Sequence, residues 1–363
     1  MTDRLVLPGP GKAELVPEPD VELGQLAEGQ VRIATAYTGL SAGTELSWFK
    51  GTNPFLGRCF DPELGLFTDG EETSPYPVTK VGYMESGRVT ESRAPGLPVG
   101  TPVAAAYGHA TGHVADPTTE HVVPLPADLD PVLGVYVAHM GPICANGLLH
   151  AAADAVGGPV RSLADGVAGR RVLVTGAGVI GLLTGLLALH HGAAEVVAVD
   201  ATPQRLAVAE ALGMVPLAAE PDAPLQVKRR WRHGPGDHGA DVAFQCRGQA
   251  AALSTALASI RPQASVVDLA FYQAGADEVR LGEEFHHNGL SVRCAQISRV
   301  PRGQAHLWDR ARLSAETVTL LRARGADVRR HLITDIVPLE DAPALLADLA
   351  ARRRHVLQAV FEV

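Results

Sequence analysis

The chain has 363 residues, 46% of them hydrophobic, and this length allows two domains that each bury a core. Its formal net charge is -9 at pH 7 and its basic residues are scattered, so neither nucleic acid nor an anionic membrane is an expected partner. The run VKRRWRH at residues 227–233 is the exception, and a solvated helix face explains it.

The sequence favours an intracellular location and reduced cysteines. The first residues, MTDRLVLPGPGK, lack the basic and apolar segments of a secretory signal, so we expect a cytoplasmic protein. Residues 172–189 carry no charge, but their glycines favour a buried strand, turn and helix over a membrane span. No C-x-x-C pair occurs among the four cysteines, which argues against a disulfide framework or a zinc knuckle; they are Cys59, Cys144, Cys246 and Cys294.

Residues 1–143 are predicted to form a mainly antiparallel β domain, because short apolar alternations are punctuated by Gly and Pro. Residues 30–37 and 100–106 are typical strands of this pattern. The segment YPVTKVGYMESGRV, residues 76–89, is predicted to be a strand, a turn and a helix around Gly82. The aromatic residues of segment 48–55 and of the long loop to residue 74 either line a substrate pocket or pack the loop.

The strongest motif is RRVLVTGAGVIGLLTGLLALHHG, residues 170–192, in which an apolar strand leads into Gly-x-Gly-x-x-Gly and an apolar helix. In this motif the first glycine permits a tight turn, the second lets the backbone approach a pyrophosphate, and the third lets helix and strand pack closely. The next strand ends at Asp200, where a carboxylate accepts the ribose hydroxyls of NAD and repels the 2′-phosphate of NADP. Arg205 follows one helical turn later and could stack on adenine or reach a phosphate, so NAD is favoured over NADP.

Further strand and helix units follow, with predicted strands at residues 240–246, 264–270 and 290–295, and their alternation predicts a doubly wound parallel sheet. Cys246 and Ala270 fall at carboxyl ends of strands, where open sheets bind ligands, although a buried, unreactive thiol is the favoured explanation for Cys246. The predicted dinucleotide-binding residues are Gly176, Ala177, Gly178, Val179, Ile180, Gly181, Asp200, Arg205, Cys246 and Ala270.

The predicted dinucleotide domain spans residues 144–297, and the tail, residues 298–363, is predicted to rejoin the first domain. In the tail we expect a strand at residues 333–339, a helix from about residue 341 and a last strand near residues 356–361.

This order of domains, together with GLSAGTE at residues 39–45, GYMESGRV at 82–89 and Gly-x-Gly-x-x-Gly, resembles the medium-chain dehydrogenase/reductase superfamily, which includes the zinc-type alcohol dehydrogenases. Within it, S-x-G-T-E followed by G-Y-x-x-x-G-R-V is most similar to the branch of 2-desacetyl-2-hydroxyethyl bacteriochlorophyllide a dehydrogenase. The resemblance implies an α/β architecture, with a Rossmann doubly wound parallel sheet, a GroES-like, mainly β catalytic domain and a cleft between the two. It also implies a homodimer assembled through the Rossmann sheets.

Zinc members of this superfamily hold the catalytic ion with a Cys after an early turn, the His of Gly-His-Glu, and a Cys or Asp before the interdomain helix. The matching positions here are Ser41, Tyr83, and Ile143 or its neighbour Cys144, and Met84 replaces the Glu. Serine and a phenol are not customary ligands of catalytic zinc, so we expect no catalytic metal.

Structural zinc in this superfamily is bound by a four-cysteine lobe that would fall between residues 89 and 121, where this chain has no cysteine. We therefore expect no metal of either kind. Ordinary surface or core positions are favoured for the four histidines that could build an unrelated site, namely His109, His113, His121 and His139.

Without zinc, a developing alkoxide needs another proton donor, whereas hydride transfer belongs to the nicotinamide. Tyr83 could donate that proton or simply fill space, and Thr44 or Glu45 could relay it or only satisfy the backbone of a turn rich in Ser, Gly and Thr. The candidate catalytic residues are therefore Ser41, Thr44, Glu45 and Tyr83.

The sequence thus favours an NAD(H)-dependent, zinc-independent oxidoreductase acting on a small or medium organic substrate. Reduction of a polarised C=N or C=C bond, or of an activated ketone, suits the absent metal better than oxidation of an unactivated alcohol. Two alternatives stay open: a secondary alcohol dehydrogenase for a bulky substrate, and a nucleotide-binding protein without turnover that has a sensing or structural role.

Overall fold

The computed structural model describes residues 2–17, 24–68 and 76–363, which fall into two compact units. The first unit runs to Ala138 and resumes at Ile333, and the second spans His139–Leu332. No helix in the described ranges is both long enough and apolar enough to cross a membrane.

The two units differ in how strands and helices follow one another. In chain order the described strands are β1 (Asp3–Gly9), β2 (Lys12–Pro17), β3 (Val31–Gly39), β4 (Cys59–Asp61), β5 (Leu66–Thr68), β6 (Glu85–Ser92), β7 (Pro102–Ala105), β8 (Gly112–Ala115), β9 (Val122–Pro124), β10 (Arg171–Thr175), β11 (Glu195–Asp200), β12 (Val215–Ala218), β13 (Arg232–Gly234), β14 (Asp237–His238), β15 (Ala240–Gln245), β16 (Ile260–Asp268), β17 (Ser291–Cys294), β18 (Ile333–Pro338) and β19 (Gln358–Glu362). In chain order the described α-helices are α1 (Ala42–Lys50), α2 (Met140–Val156), α3 (Val179–His190), α4 (Pro203–Ala211), α5 (Ala223–Arg230), α6 (Ala250–Ser259), α7 (Glu284–His287), α8 (Arg310–His331) and α9 (Ala342–Ala350).

The first unit is built on a mainly antiparallel sheet with the strand order β18-β19-β3-β6-β7-β9, and β8 pairs with β3. The tail enters this sheet because β19 pairs with β3, where Phe361 lies opposite Thr38. Leu5, Phe49 and Leu346 pack with Phe361 in the core, so strand, helix and tail bury one another's apolar faces. The predicted mainly β domain is confirmed.

Two local predictions in this unit are wrong. Residues 76–89, all of them described, contain no helix: the chain turns at Gly82, whose φ is 93°, and β6 begins at Glu85 because β3 and β7 pair with it on both sides. The expected turn after Gly39 is instead the start of α1, which ends at Gly51 in the left-handed conformation typical of a helix C-terminus.

The predicted loop between the two segments has structure of its own. After α1, a short 3-10 helix at Pro54–Leu56 is followed by β4 and β5, which pair as a hairpin. The end of the predicted loop, residues 69–74, lies outside the described residues.

The second unit is a parallel sheet with the strand order β12-β11-β10-β15-β16-β17. In this doubly wound order two mononucleotide-binding halves meet beside the first strand. Val172, Leu173 and Val174 of β10 are fully buried, as expected for a strand with both faces covered. The predicted Rossmann architecture is confirmed.

The unit boundaries differ from those predicted at residues 143 and 298. Helix α8 packs against α2 so closely that a Cβ on Gly141 would lie 2.1 Å from Cγ2 of Thr317. Residues 298–332 therefore belong to the second unit, and the chain returns to the first unit only at Ile333.

Candidate active site

Two hydroxyl groups meet near the start of α1 in the first unit. The Oγ of Ser41 and the phenol of Tyr83 share a short hydrogen bond. Ser41 is the N-cap residue of α1, but its side chain makes no capping hydrogen bond, so its hydroxyl can hydrogen-bond Tyr83 instead. Thr44, on the first turn of α1, also hydrogen-bonds the phenol. The structure therefore brings three of the four predicted catalytic residues together.

Glu45, the fourth predicted catalytic residue, is 2% exposed and lies in the interior of the first unit. Its Oε1 accepts a hydrogen bond from the backbone N–H of Ser41 at 2.7 Å, and its Oε2 lies 2.7 Å from Nε2 of His109. Nδ1 of His109 lies 2.7 Å from Oγ1 of Thr38. Both carboxylate oxygens and both ring nitrogens thus have partners, which allows a charged group to stay buried.

His109 is a core histidine, yet its position is more specific than the sequence suggested. It is fully buried, and a Cβ on Gly82 would lie 2.9 Å from its Nε2, so the ring packs on the turn that precedes Tyr83. Its partners Glu45 and Thr38 are 64 and 71 residues away along the chain. Spacing in the sequence gives no signal for such contacts, so sequence reasoning missed them.

Burial raises the pKa of the Tyr83 phenol, and the charge of Glu45 raises it further, while the hydrogen bonds with Ser41 and Thr44 lower it. The net pKa is raised, so the phenol stays protonated at neutral pH and can donate a proton. Once the proton has left, the two hydroxyls can donate to the phenolate oxygen and stabilise it.

The first-unit residues at the predicted zinc-ligand positions do not fit zinc. Ser41 and Tyr83 are neutral oxygen donors that hydrogen-bond each other. Met84 is fully buried and packs against Gly39, where a Cβ would lie 2.8 Å from Cε of the methionine. Catalytic zinc is held by imidazole, thiolate or carboxylate groups, and none of these three side chains supplies one.

The second-unit position fits zinc no better. Ile143 has a hydrocarbon side chain, and the Cys144 thiol donates to the carbonyls of Met140 at 3.4 Å and Ile180 at 3.5 Å. Burial raises the pKa of Cys144 to about 12, so the thiol is protonated at neutral pH. Across residues 2–17, 24–68 and 76–363, no three His, Cys, Asp or Glu side chains are grouped so that they could hold a metal ion.

The glycine motif forms the turn between β10 and α3 in the second unit. Gly176 has a φ of 98°, and a Cβ on Gly181 would lie 1.8 Å from the carbonyl oxygen of Gly176. By contrast, a Cβ on Gly178 would meet no atom within 4 Å, so the helix that starts with Val179 and Ile180 has space at its N-terminus. The backbone is therefore closely packed where the strand meets the helix, and it leaves free space where a phosphate would approach the helix N-terminus. This geometry fits the binding of a dinucleotide.

Asp200 ends β11 beside this turn and is 1% exposed. Its Oδ2 accepts a hydrogen bond from the backbone of Ala177 and its Oδ1 from that of Thr202, both at 2.8 Å. Guanidinium nitrogens of Arg205 and Arg247 each lie 3.9 Å from the carboxylate. Arg247, which sequence reasoning missed, therefore adds a second positive charge that opposes the repulsion between Asp200 and a 2′-phosphate.

Cys246 directly follows the end of β15, and Ala270 lies two residues after the end of β16. The backbone N–H of Cys246 donates to Thr175 at 2.8 Å, and that of Ala270 donates to Oδ1 of Asp268 at 2.8 Å. Burial raises the pKa of the Cys246 thiol well above its ordinary value, so the thiol is protonated and unreactive.

A hydrogen-bonded network that sequence reasoning missed links the ends of β10, β15 and β16. Oγ1 of Thr175 donates to Oε1 of Gln245 at 2.7 Å, and Nε2 of Gln245 donates to the Tyr272 hydroxyl at 3.0 Å. That hydroxyl donates to Oδ2 of Asp268 at 2.7 Å. The signal in the sequence is that three apolar strands end in polar residues, and the network fixes these ends at the ligand-binding edge of the sheet.

Known proteins similar to this chain are dehydrogenases. Residues 179–309 match the protein family described as zinc-binding dehydrogenase. The chain is 26% identical to D-guloside 3-dehydrogenase of Escherichia coli K12 over 352 residues, which cover 94% of this chain and 93% of that protein. The similarity therefore extends through both units.

Solved structures show the same fold. Galactitol-1-phosphate dehydrogenase from Escherichia coli has a TM-score of 0.75 at 19% identity, with 99% of this chain and 100% of that chain covered. A zinc-binding dehydrogenase from Sinorhizobium meliloti bound to NADP has a TM-score of 0.72 at 19% identity, with 100% and 99% covered. The resemblance to zinc-type alcohol dehydrogenases is confirmed, while the bacteriochlorophyllide branch and the replacement of the zinc ligands stay predictions.

A matched pair of glycine substitutions separates folding from dinucleotide binding. Gly181→Ala should destabilise the second unit because its Cβ would overlap the carbonyl of Gly176. Gly178→Ala should leave the melting temperature unchanged, since its Cβ meets no protein atom, yet it should weaken NADH binding by filling the space for a phosphate. Thermal unfolding and NADH fluorescence titration measure both effects, and unchanged NADH affinity in Gly178→Ala would contradict the assigned site.

Replacing Glu45 by Gln should lower the pKa of Tyr83, because the charge that raises it is removed while the amide oxygen can still accept from Ser41. The titration is followed by phenolate absorbance at alkaline pH. The contribution of Tyr83 is obtained by subtracting the absorbance of the same protein with Tyr83→Phe, both for the wild type and for Glu45→Gln. An equal or higher pKa in Glu45→Gln would mean that the carboxylate does not act on the phenol.

Proposed function

We propose that this chain, which has the fold and sequence similarity of the zinc-type alcohol dehydrogenase-like superfamily, is an oxidoreductase that interconverts a ketone and a secondary alcohol with NAD(H). Similarity to D-guloside 3-dehydrogenase along 94% of the chain supports this reaction class. Among reduction of a C=N bond, a C=C bond and an activated C=O bond, that similarity favours the activated carbonyl.

The hydrogen-bonded hydroxyls of Ser41 and Tyr83 carry the proposal. When bound, the nicotinamide supplies the hydride that adds to the carbonyl carbon. The proton that completes the alcohol comes from the hydroxyl of Tyr83, whose raised pKa keeps it protonated until the carbonyl oxygen gains negative charge. Ser41 then donates a hydrogen bond to the phenolate, which solvent protonates again.

A keto sugar is the substrate class that best suits such a site. Zinc would stabilise a developing alkoxide by several kcal/mol as a Lewis acid, and hydroxyl groups offer only hydrogen bonds. A ketone flanked by carbons that bear hydroxyl groups is already polarised, so its reduction needs less stabilisation of the developing alkoxide. We therefore propose a zinc-independent reaction on the ketone of a sugar or glycoside, in the reducing direction.

The second unit is proposed to hold the dinucleotide at the turn from Gly176 to Gly181, with the ribose at Asp200. The buried carboxylate supports NAD, and the flanking Arg205 and Arg247 support a weaker use of NADP. We also propose a homodimer formed through β17, since this strand ends the sheet and its residues Ser291–Cys294 are exposed.

Tyr83→Phe should lower kcat for reduction of an α-hydroxyketone by NADH about 10²- to 10⁴-fold, the usual contribution of a positioned proton donor, and leave NADH affinity unchanged. Tyr37→Phe is the matched control, because that hydroxyl bonds Glu362 at 3.1 Å, away from Ser41. Since the pKa of Tyr83 is raised, wild-type reduction should be insensitive to pH near neutrality and fall only above about pH 10.

Two outcomes of these assays would contradict the proposal. Equal kcat in Tyr83→Phe and the wild type would remove Tyr83 as the proton donor. NADH binding without oxidation across a panel of imines, enones and α-hydroxyketones would favour a nucleotide-binding protein without turnover.

A further inference from the structure

Four aromatic rings form a continuous surface on the first unit. In the hairpin of β4 and β5, Phe60 lies directly opposite Phe67, and their ring centroids are 5.1 Å apart. The Phe67 ring is 5.3 Å from that of Phe55, which stacks on Trp48 with centroids 6.3 Å apart and planes inclined by 19°. We call these four residues the aromatic cluster.

The cluster is exposed and held in a fixed shape. Phe55, Phe60 and Phe67 are each 39% exposed, although phenylalanine side chains are usually buried in the protein core. Oδ1 of Asp61 accepts hydrogen bonds from the backbone N–H groups of Glu63 and Leu64 within the hairpin turn. Arg58 donates to the carbonyl of Phe67 at 2.7 Å. These contacts hold the rings in place without covering them.

The cluster also continues the face of α1 that carries the hydroxyl site. Thr44 hydrogen-bonds the phenol of the proposed proton donor, and Trp48 lies one helical turn further along the same face, about 6 Å along the helix axis. Asn53 fixes the cluster to the helix: its Nδ2 donates to Oγ of Ser47 at 2.8 Å, and its Oδ1 accepts from the N–H of Phe55 at 3.1 Å.

We propose that the aromatic cluster binds the apolar, aryl-type aglycone of a glycoside whose sugar reacts at the Ser41 and Tyr83 hydroxyls. The inference rests on the proposed function and adds its substrate class. Phenyl rings offer no hydrogen-bonding groups, and aromatic pairs bind by stacked or edge-to-face contact, so the cluster suits a flat aromatic group. The polar hydroxyls and the apolar rings thus match the two halves of an aryl glycoside.

The test compares the phenyl and methyl glycosides of one keto sugar as substrates for reduction by NADH. In the wild type, kcat/KM should be about tenfold higher for the phenyl glycoside, as expected when one apolar group gains a pocket. The double variant Phe60→Ala and Phe67→Ala should bring this ratio close to one and leave kcat/KM for the methyl glycoside unchanged. Val99→Ala is the control, since Val99 is a 63% exposed apolar residue of the same unit.

A binding measurement keeps this test separate from the proposed function. Trp48 is half-buried, whereas Trp231 and Trp308 are 2% and 1% exposed, so fluorescence quenching by the phenyl glycoside reports on the cluster. Saturable quenching in the wild type and its loss in the folded double variant support the subsite, even if neither glycoside is reduced and the proposed function fails.

Two results would overturn the inference. The first is reduction of both glycosides with a ratio that the double variant does not change, which would leave the proposed function standing. The second combines two observations: fluorescence quenching is unchanged in the double variant, and sedimentation shows that the double variant forms a smaller oligomer than the wild type. The cluster would then be a contact between two copies of the chain.

Discussion

The contact between Glu45 and His109 is the constraint on which the proposed active site depends. The two groups are 2.7 Å apart, with side chains 2% and 0% exposed, and they join α1 to the turn at Gly82. Removing one partner would leave a buried hydrogen-bonding atom of the other without a partner, at a cost of about 1–3 kcal/mol. Because Ser41 begins α1 and Tyr83 follows Gly82, this contact also fixes where their hydroxyls meet.

That constraint has a chemical consequence. The Glu45 carboxylate raises the pKa of Tyr83 and helps to keep the phenol protonated, so the same charge that anchors the helix prepares the proton donor. Sequence similarity to a dehydrogenase extends through both units, yet the positions predicted to hold zinc carry a serine, a phenol and a buried apolar or neutral thiol side chain. In our proposal the dinucleotide-binding unit keeps the hydride chemistry of the fold, and the first unit replaces a Lewis acid by a hydrogen-bonded acid.

Features encoded by local pattern were predictable from the sequence. The apolar strands, the three glycines and Asp200 appear in order within about thirty residues, so the Rossmann sheet and its turn followed from spacing. Ser41, Gly43 and Thr44 are typical turn residues, so the local pattern predicts a turn where the structure has the start of α1. Its helical form depends on burial of Glu45 and Phe49 against distant strands, which no local pattern records.

Long-range contacts account for the remaining differences. His109 meets Glu45 across 64 residues, and Arg247 reaches Asp200 from a loop that follows another strand. Helix α8 joins the second unit because Thr317 packs on Gly141, far earlier in the chain. In each case the decisive partner comes from a different element, so composition and periodicity around either residue are uninformative.

The most direct measurement is the rate of α-hydroxyketone reduction by NADH after exhaustive dialysis against a chelator, with the metal content of the same sample determined. Our account predicts an unchanged rate in protein with far less than one zinc per chain. A rate that is lost on dialysis and restored by added zinc would contradict the claim that the Ser41 and Tyr83 hydroxyls take the place of the metal.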